Sequence, residues 1–130
     1  MRRLLVFVFL LATSTACQSG EKACPTIALS EGISLDIPPQ VAAGLTRVSM
    51  ELCWASGCVT ESAPGGEHVF LPFRGLPTTP VKTTVTLGDR KPRSLVVTPA
   101  IAYPAGEACG GGVPVAKLVV TPGGEIRQEP

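Results

Sequence analysis

The most reactive side chains of this 130-residue chain are five cysteines and one histidine, and their spacing limits the chemistry open to them. His68, in "GGEHVF", follows a glycine turn at the head of an alternating apolar run, which places it on a strand. Nucleophilic hydrolysis needs such a base beside a Ser or Cys, with a carboxylate to orient it; Ser62, Asp36 and Asp89 are the residues that could be recruited. None stands at a motif spacing from His68. We read His68 as a solvent-facing strand residue, and keep a small hydrolase or other enzyme using His68 as the alternative. The ten acidic residues are scattered singly and supply no general acid and base pair.

The cysteines are Cys17, Cys24, Cys53, Cys58 and Cys109. "CWASGC" lacks the paired C-x2-C spacing of zinc sites, and a copper carrier would need Met and His clusters where the chain past its leader has Met50 alone. Redox exchange of the thioredoxin kind uses C-x-x-C at a helix start, not C-x4-C across a turn. "GEACGGGVP" is glycine-rich but lacks the Lys and following helix of a phosphate loop. The expectation is no metal, no cofactor and no catalytic residue.

Location is better specified. Met1-Arg2-Arg3 supplies a positive head, residues 4–12 an apolar run too short for a lasting membrane span, and Thr13 to Ala16 a small-residue cleavage region. Residues 1–16 are a secretion signal. Arg2-Arg3 raises the twin-arginine route, but the residues that usually surround that motif are missing, and the general secretory route is favoured. Ser14-Thr15-Ala16-Cys17 resembles a bacterial lipobox, with Cys17 the acceptor of a diacylglyceryl group and Ser14 in place of the commoner Leu. Lipidation also accounts for the odd cysteine; the competing reading is a secreted protein with a free Cys17. Two acyl chains such as palmitate give a durable anchor where one is marginal. Residues 17–23 form the tether: six residues separate Cys17 from Cys24, a reach of roughly 20 Å.

Residues 24–130 suit one domain with a modest core. Without Arg2 and Arg3 the chain holds nine basic and ten acidic residues, so no strong field draws it to nucleic acid or anionic lipid. "GDRKPRS", with Arg90, Lys91 and Arg93, reads as a solvated turn. Pro and Gly, 27 residues together, punctuate short Val-, Ile-, Leu- and Thr-rich runs, the pattern of strands joined by turns. Alternation sets Ile33, Leu35 and Ile37 on one face, and Val48, Met50, Leu52 and Trp54 on another. Further runs begin at Cys58, Glu67, Val81, Ser94 and Val115, with Pro99 breaking the sixth. Pro39 opens at most one helical turn, ended by Gly44. The fold class is all-β: about seven antiparallel strands in an immunoglobulin-like sandwich.

Four cysteines pair in three ways. A bridge across the "CWASGC" hairpin is the simplest, joining Cys53 to Cys58 and leaving Cys24 for Cys109. The hairpin and the loop around "GEACGGG" offer candidate binding positions at Trp54, Gly57, Tyr103 and Gly110; Trp54 either stands exposed at the tip or packs over the bridge.

The run Leu52-Cys53 with Gly57-Cys58, and the later Tyr103-Pro104-Ala105-Gly106-Glu107-Ala108-Cys109-Gly110, resemble elements of small, functionally uncharacterised, exported lipoproteins of high-GC Gram-positive bacteria. The resemblance spans Cys24 to about Gly124. It implies an immunoglobulin-like fold and an extracytoplasmic place on the cell membrane, and transfers no catalytic residue. The resulting expectation is a monomeric, membrane-anchored, non-enzymatic envelope module that binds a protein or cell-wall partner.

Overall fold

The computed structural model describes residues 23–55 and 57–130; the expected secretion signal, Cys17 and all of the expected tether but residue 23 lie outside the described residues. Among the described residues, nine strands form two sheets, with one α-helical turn and one 3-10 turn at Glu107–Cys109. The first sheet has the order β4 (His68–Pro72), β1 (Gly32–Asp36), β8 (Val113–Val120), β7 (Ala100–Ala102), with β9 (Ile126–Gln128) also on β8. The second runs β3 (Gly57–Pro64), β2 (Arg47–Trp54), β5 (Val81–Leu87), β6 (Arg93–Val97).

Along β1, β2, β4, β5 and β8 every second residue points between the sheets. Ile33, Leu35, Val69, Leu71, Ala116, Leu118 and Val120 from the first sheet meet Val48, Met50, Leu52, Val81, Val85, Leu87 and Val97 from the second in one buried core. The period-2 pattern is sufficient cause, since burying a residue of this size contributes about 1.5–3 kcal/mol. Helix α1 (Pro39–Ala42) is the single turn expected, with Pro at its start, where a missing N–H costs nothing, and Val41 buried beneath it.

Two expectations need correction. The strand count is about nine, not seven, because the sixth run is two strands in different sheets. β6 ends at Val97 beside Val81, and β7 starts at Ala100 beside Val115. Pro99, with no N–H for a ladder, sits at the crossover, and Gln128 covers the unpaired backbone there: its side chain accepts from Thr98 N–H at 2.9 Å and donates to Thr98 O at 2.7 Å. β9 is too short for an alternation signal. Nor is the pairing antiparallel throughout, because β1 lies parallel to β8, Gly32 opposite Val115 and Leu35 opposite Leu118.

Both disulfides join the expected partners, Cys24 to Cys109 with Cα atoms 5.5 Å apart and Cys53 to Cys58 at 4.1 Å. The first ties the segments that lead into β1 and β8, so it closes the parallel pair at its start. The second links directly opposed residues of the β2–β3 hairpin.

The connections fix which ends coincide. β4 ends and β1 begins at the Gly32–Pro72 pair, β2 ends where β5 begins, at Cys53 and Lys82, and β6 rises to this same end before passing into β7. One end of the sandwich therefore carries residues 23–31, the β2–β3 hairpin, and loops 73–80 and 103–112, together with both disulfides. The other carries α1 and the turns at 65–67, 88–92 and 121–125.

Candidate functional site

Alternation that buries Leu35, Val69 and Leu118 turns Asp36, His68 and Lys117 to the outer face of the first sheet. The β1–β4 register sets Asp36 directly opposite His68, and the parallel β1–β8 pairing brings Lys117 to its other side. His68 Nδ1 lies 2.9 Å from Asp36 Oδ1, and Lys117 Nζ lies 3.0 Å from Asp36 Oδ2 and 3.0 Å from Glu129 Oε2. Glu129 is positioned by its own N–H, which donates to Lys117 O at 2.9 Å. A row of four side chains thus crosses the sheet, open to solvent: the His68 side chain is 86% exposed.

Hydrogen bonds from His68 and then from Lys117 hold the Asp36 carboxyl below its ordinary range. Hydrogen bonds to Glu129 and then Asp36 hold the Lys117 ammonium above its own. Lys117 is therefore a fixed cation at neutral pH rather than a base, and Asp36 a fixed anion. Because folding lowers the Asp36 value, the stabilisation exists above the unfolded value near pH 3.9 and is lost as pH falls through the folded one. Asp36→Asn should cost about 0.2–1 kcal/mol at pH 7, the range of exposed ion pairs, and the gap to the wild type should close below about pH 4. Urea midpoints of both proteins across that interval measure it.

The sequence-derived candidates fall in several places. Asp36 joins His68, as that arrangement required, but Ser62 stands on β3 in the other sheet, opposite Ser49, and Asp89 in the exposed turn that joins β5 to β6 of that sheet. Arg90, Lys91 and Arg93 occupy that same exposed turn and the start of β6. Glu51, Cys53 and Cys58 bring potential metal-ligating atoms within 4.8 Å of one another, but both sulfurs are used in their disulfide. Trp54 is not an exposed anchor: it is half-buried and packs on the core. Gly57 and Gly110 are exposed, and Tyr103 is 39% exposed. Gly112 explains part of the glycine run, since a Cβ there would lie 2.5 Å from both Tyr103 Cε1 and Ile101 Cγ2.

One feature had no sequence signal. Beside the ion row, the outer face of the first sheet forms an open trough of about 590 Å³, floored by Gly32, Ser34, Ala100 and Ala102 and flanked by Leu29 and Phe70. Four strands and the C-terminal segment contribute to it, so no single run reveals it. The Phe70 ring approaches Gly32, where an added Cβ would meet Phe70 Cζ at 2.7 Å and the Leu71 carbonyl oxygen; the missing side chain leaves the ring its place on the sheet.

Comparison with known protein families, curated proteins and solved structures gives no match. Among the described residues, no helix is long and apolar enough to cross a membrane.

Proposed function

We propose that this protein is a membrane-anchored, non-enzymatic lipoprotein of the cell envelope, held on the extracytoplasmic face through acylated Cys17 and acting as a structural or binding module, like the exported lipoproteins it resembles. One observation carries the reading: the reactive groups are already committed to one another. Four cysteines are joined in two bridges, and His68, Asp36 and Lys117 are bonded in a row on an open sheet face. The side-chain hydrogen bond of His68 runs to Asp36, which supports a pair built into the sheet face rather than a base poised beside a nucleophile. The two bridges support an oxidising compartment outside the cytoplasm.

The anchor is tested by Cys17→Ala. The wild-type protein should fractionate with membranes and the variant should be soluble or retained as precursor, because loss of both acyl chains removes the durable attachment. Equal membrane association of the two overturns the lipoprotein reading. His68→Ala addresses the enzyme alternative: stability should change by no more than about 0.5 kcal/mol, as for other exposed sites, with any cellular phenotype intact. Loss of phenotype in a normally folded variant favours the enzyme.

A further inference from the structure

The large exposed apolar side chains of the described residues are distributed unevenly. Ile27 is 50% exposed, Leu29 40%, Val59 41%, Phe70 43%, Val96 64%, Ile101 43% and Tyr103 39%. Ile27, Leu29, Ile101 and Tyr103 lie on the segment and strand–loop that surround the Cys24–Cys109 bridge. Val59 and Val96 stand one pair from Cys58 and Val97, at the same end of the second sheet. Among the described residues, none of these side chains belongs to the end formed by α1 and the turns at 65–67, 88–92 and 121–125. Residues 23–30 are exposed without exception, although Cys24 is pinned.

This is the end from which the chain runs to Cys17. Six residues between Cys17 and Cys24 allow a reach of roughly 20 Å, less than the roughly 26 Å of an eight-residue strand such as β8, so an anchor at Cys17 keeps this end, and not the other, against the bilayer. Scattered apolar side chains of this size on a water-facing surface need no explanation singly, but a set gathered at the tethered end has a partner within reach. Resting on the reading of Cys17 as the lipid-bearing residue, we propose that this end is a membrane-docking surface. Ile27, Leu29, Ile101 and Tyr103 enter the interfacial layer of the lipid and hold the sandwich upright on it.

Aliphatic side chains with a Tyr among them suit that layer, where an apolar body and a polar tip are both accommodated. The charges nearby, Glu31, Arg74, Lys82 and Glu107, are of mixed sign and form no basic patch. The contact is therefore apolar and does not depend on anionic lipid. The hairpin end at Trp54 and Gly57 and the loop at 103–110 would then meet lipid, leaving the α1 end and the sheet faces to other partners.

Trp54 is the sole tryptophan and sits at the end of β2, on the docking side, so it reports the contact without a label. The lipidated full-length protein is incorporated into phosphatidylcholine vesicles, with and without bromine atoms on the upper acyl carbons. Trp54 emission should fall in the brominated vesicles, by the same fraction when anionic lipid is added. Replacing Ile27, Leu29 and Ile101 by Ser, all exposed and outside the core, should restore emission while the protein still sediments with vesicles. Protein that sediments but shows equal emission in both vesicles, or a serine variant quenched as strongly as the wild type, overturns the docking and leaves the anchor standing. Wild-type protein that fails to sediment overturns the reading of Cys17 and the docking with it.

Discussion

Cys24→Ala combined with Cys109→Ala should lower unfolding free energy by about 2–5 kcal/mol, out of the roughly 5–15 that a domain of this kind possesses. The bridge spans 85 residues, and closing a loop of that length in the unfolded chain corresponds to about 4.6 kcal/mol in the chain-entropy account. The folded state adds a second reason. β1 and β8 pair in parallel, without a hairpin to align them, and the bridge sets the start of both. Cys53→Ala with Cys58→Ala should cost less, about 2.2 kcal/mol or below, because the separation is 5 residues and the β2–β3 ladder already restrains the hairpin. Denaturant midpoints of the two double variants, compared under non-reducing conditions, measure the difference. Equal losses would show that the parallel pairing forms without help.

Phe73→Ala should cost about 3–5 kcal/mol, as large a loss as any single substitution here. Phe73 continues the inward alternation of Val69 and Leu71 just past the end of β4 and is 1% exposed, while its N–H donates to Glu31 O at 3.3 Å and anchors the loop. Truncation leaves a void between two sheets whose positions are fixed by ladders on either side, so little collapse can refill it. Phe70→Ala, three residues earlier but on the outer face, should cost distinctly less, since its ring is 43% exposed. Urea unfolding with an unchanged slope checks both. A small loss at Phe73 would mean that the 73–80 loop repacks.

Much of this architecture is legible in alternation alone. Val48, Met50 and Leu52, or Val81, Val85 and Leu87, need no partner information to declare an inner face, because the pleat repeats every two residues. Punctuation by Pro39 and Pro99 is equally legible, as a helix start and a strand break. Pairing between distant strands is not. Nothing local sets Asp36 against His68 or Gly32 against Val115; those contacts follow from which strands become neighbours. The trough is hidden for the same reason, since its floor is a Gly, a Ser and two Ala drawn from separate strands. Trp54 was ambiguous because a strand's last residue can turn either inward or outward, and packing on the core decides it.

The Cys24–Cys109 link also has a mechanical meaning. Tension entering from an anchored tether reaches Cys24 first, and there the covalent path divides between the approach to β1 and, through the disulfide, the approach to β8. With both strand starts drawn the same way, β1 and β8 move as one unit, and the load falls on the pair's contacts with neighbouring strands rather than on the hydrogen bonds between the two. Were the C-terminal segment held at its other end, the load would bypass the 85-residue loop altogether, and only the chain beyond Cys109 could pay out. The greater part of the domain would thereby be spared extension wherever the chain is held at such a tether.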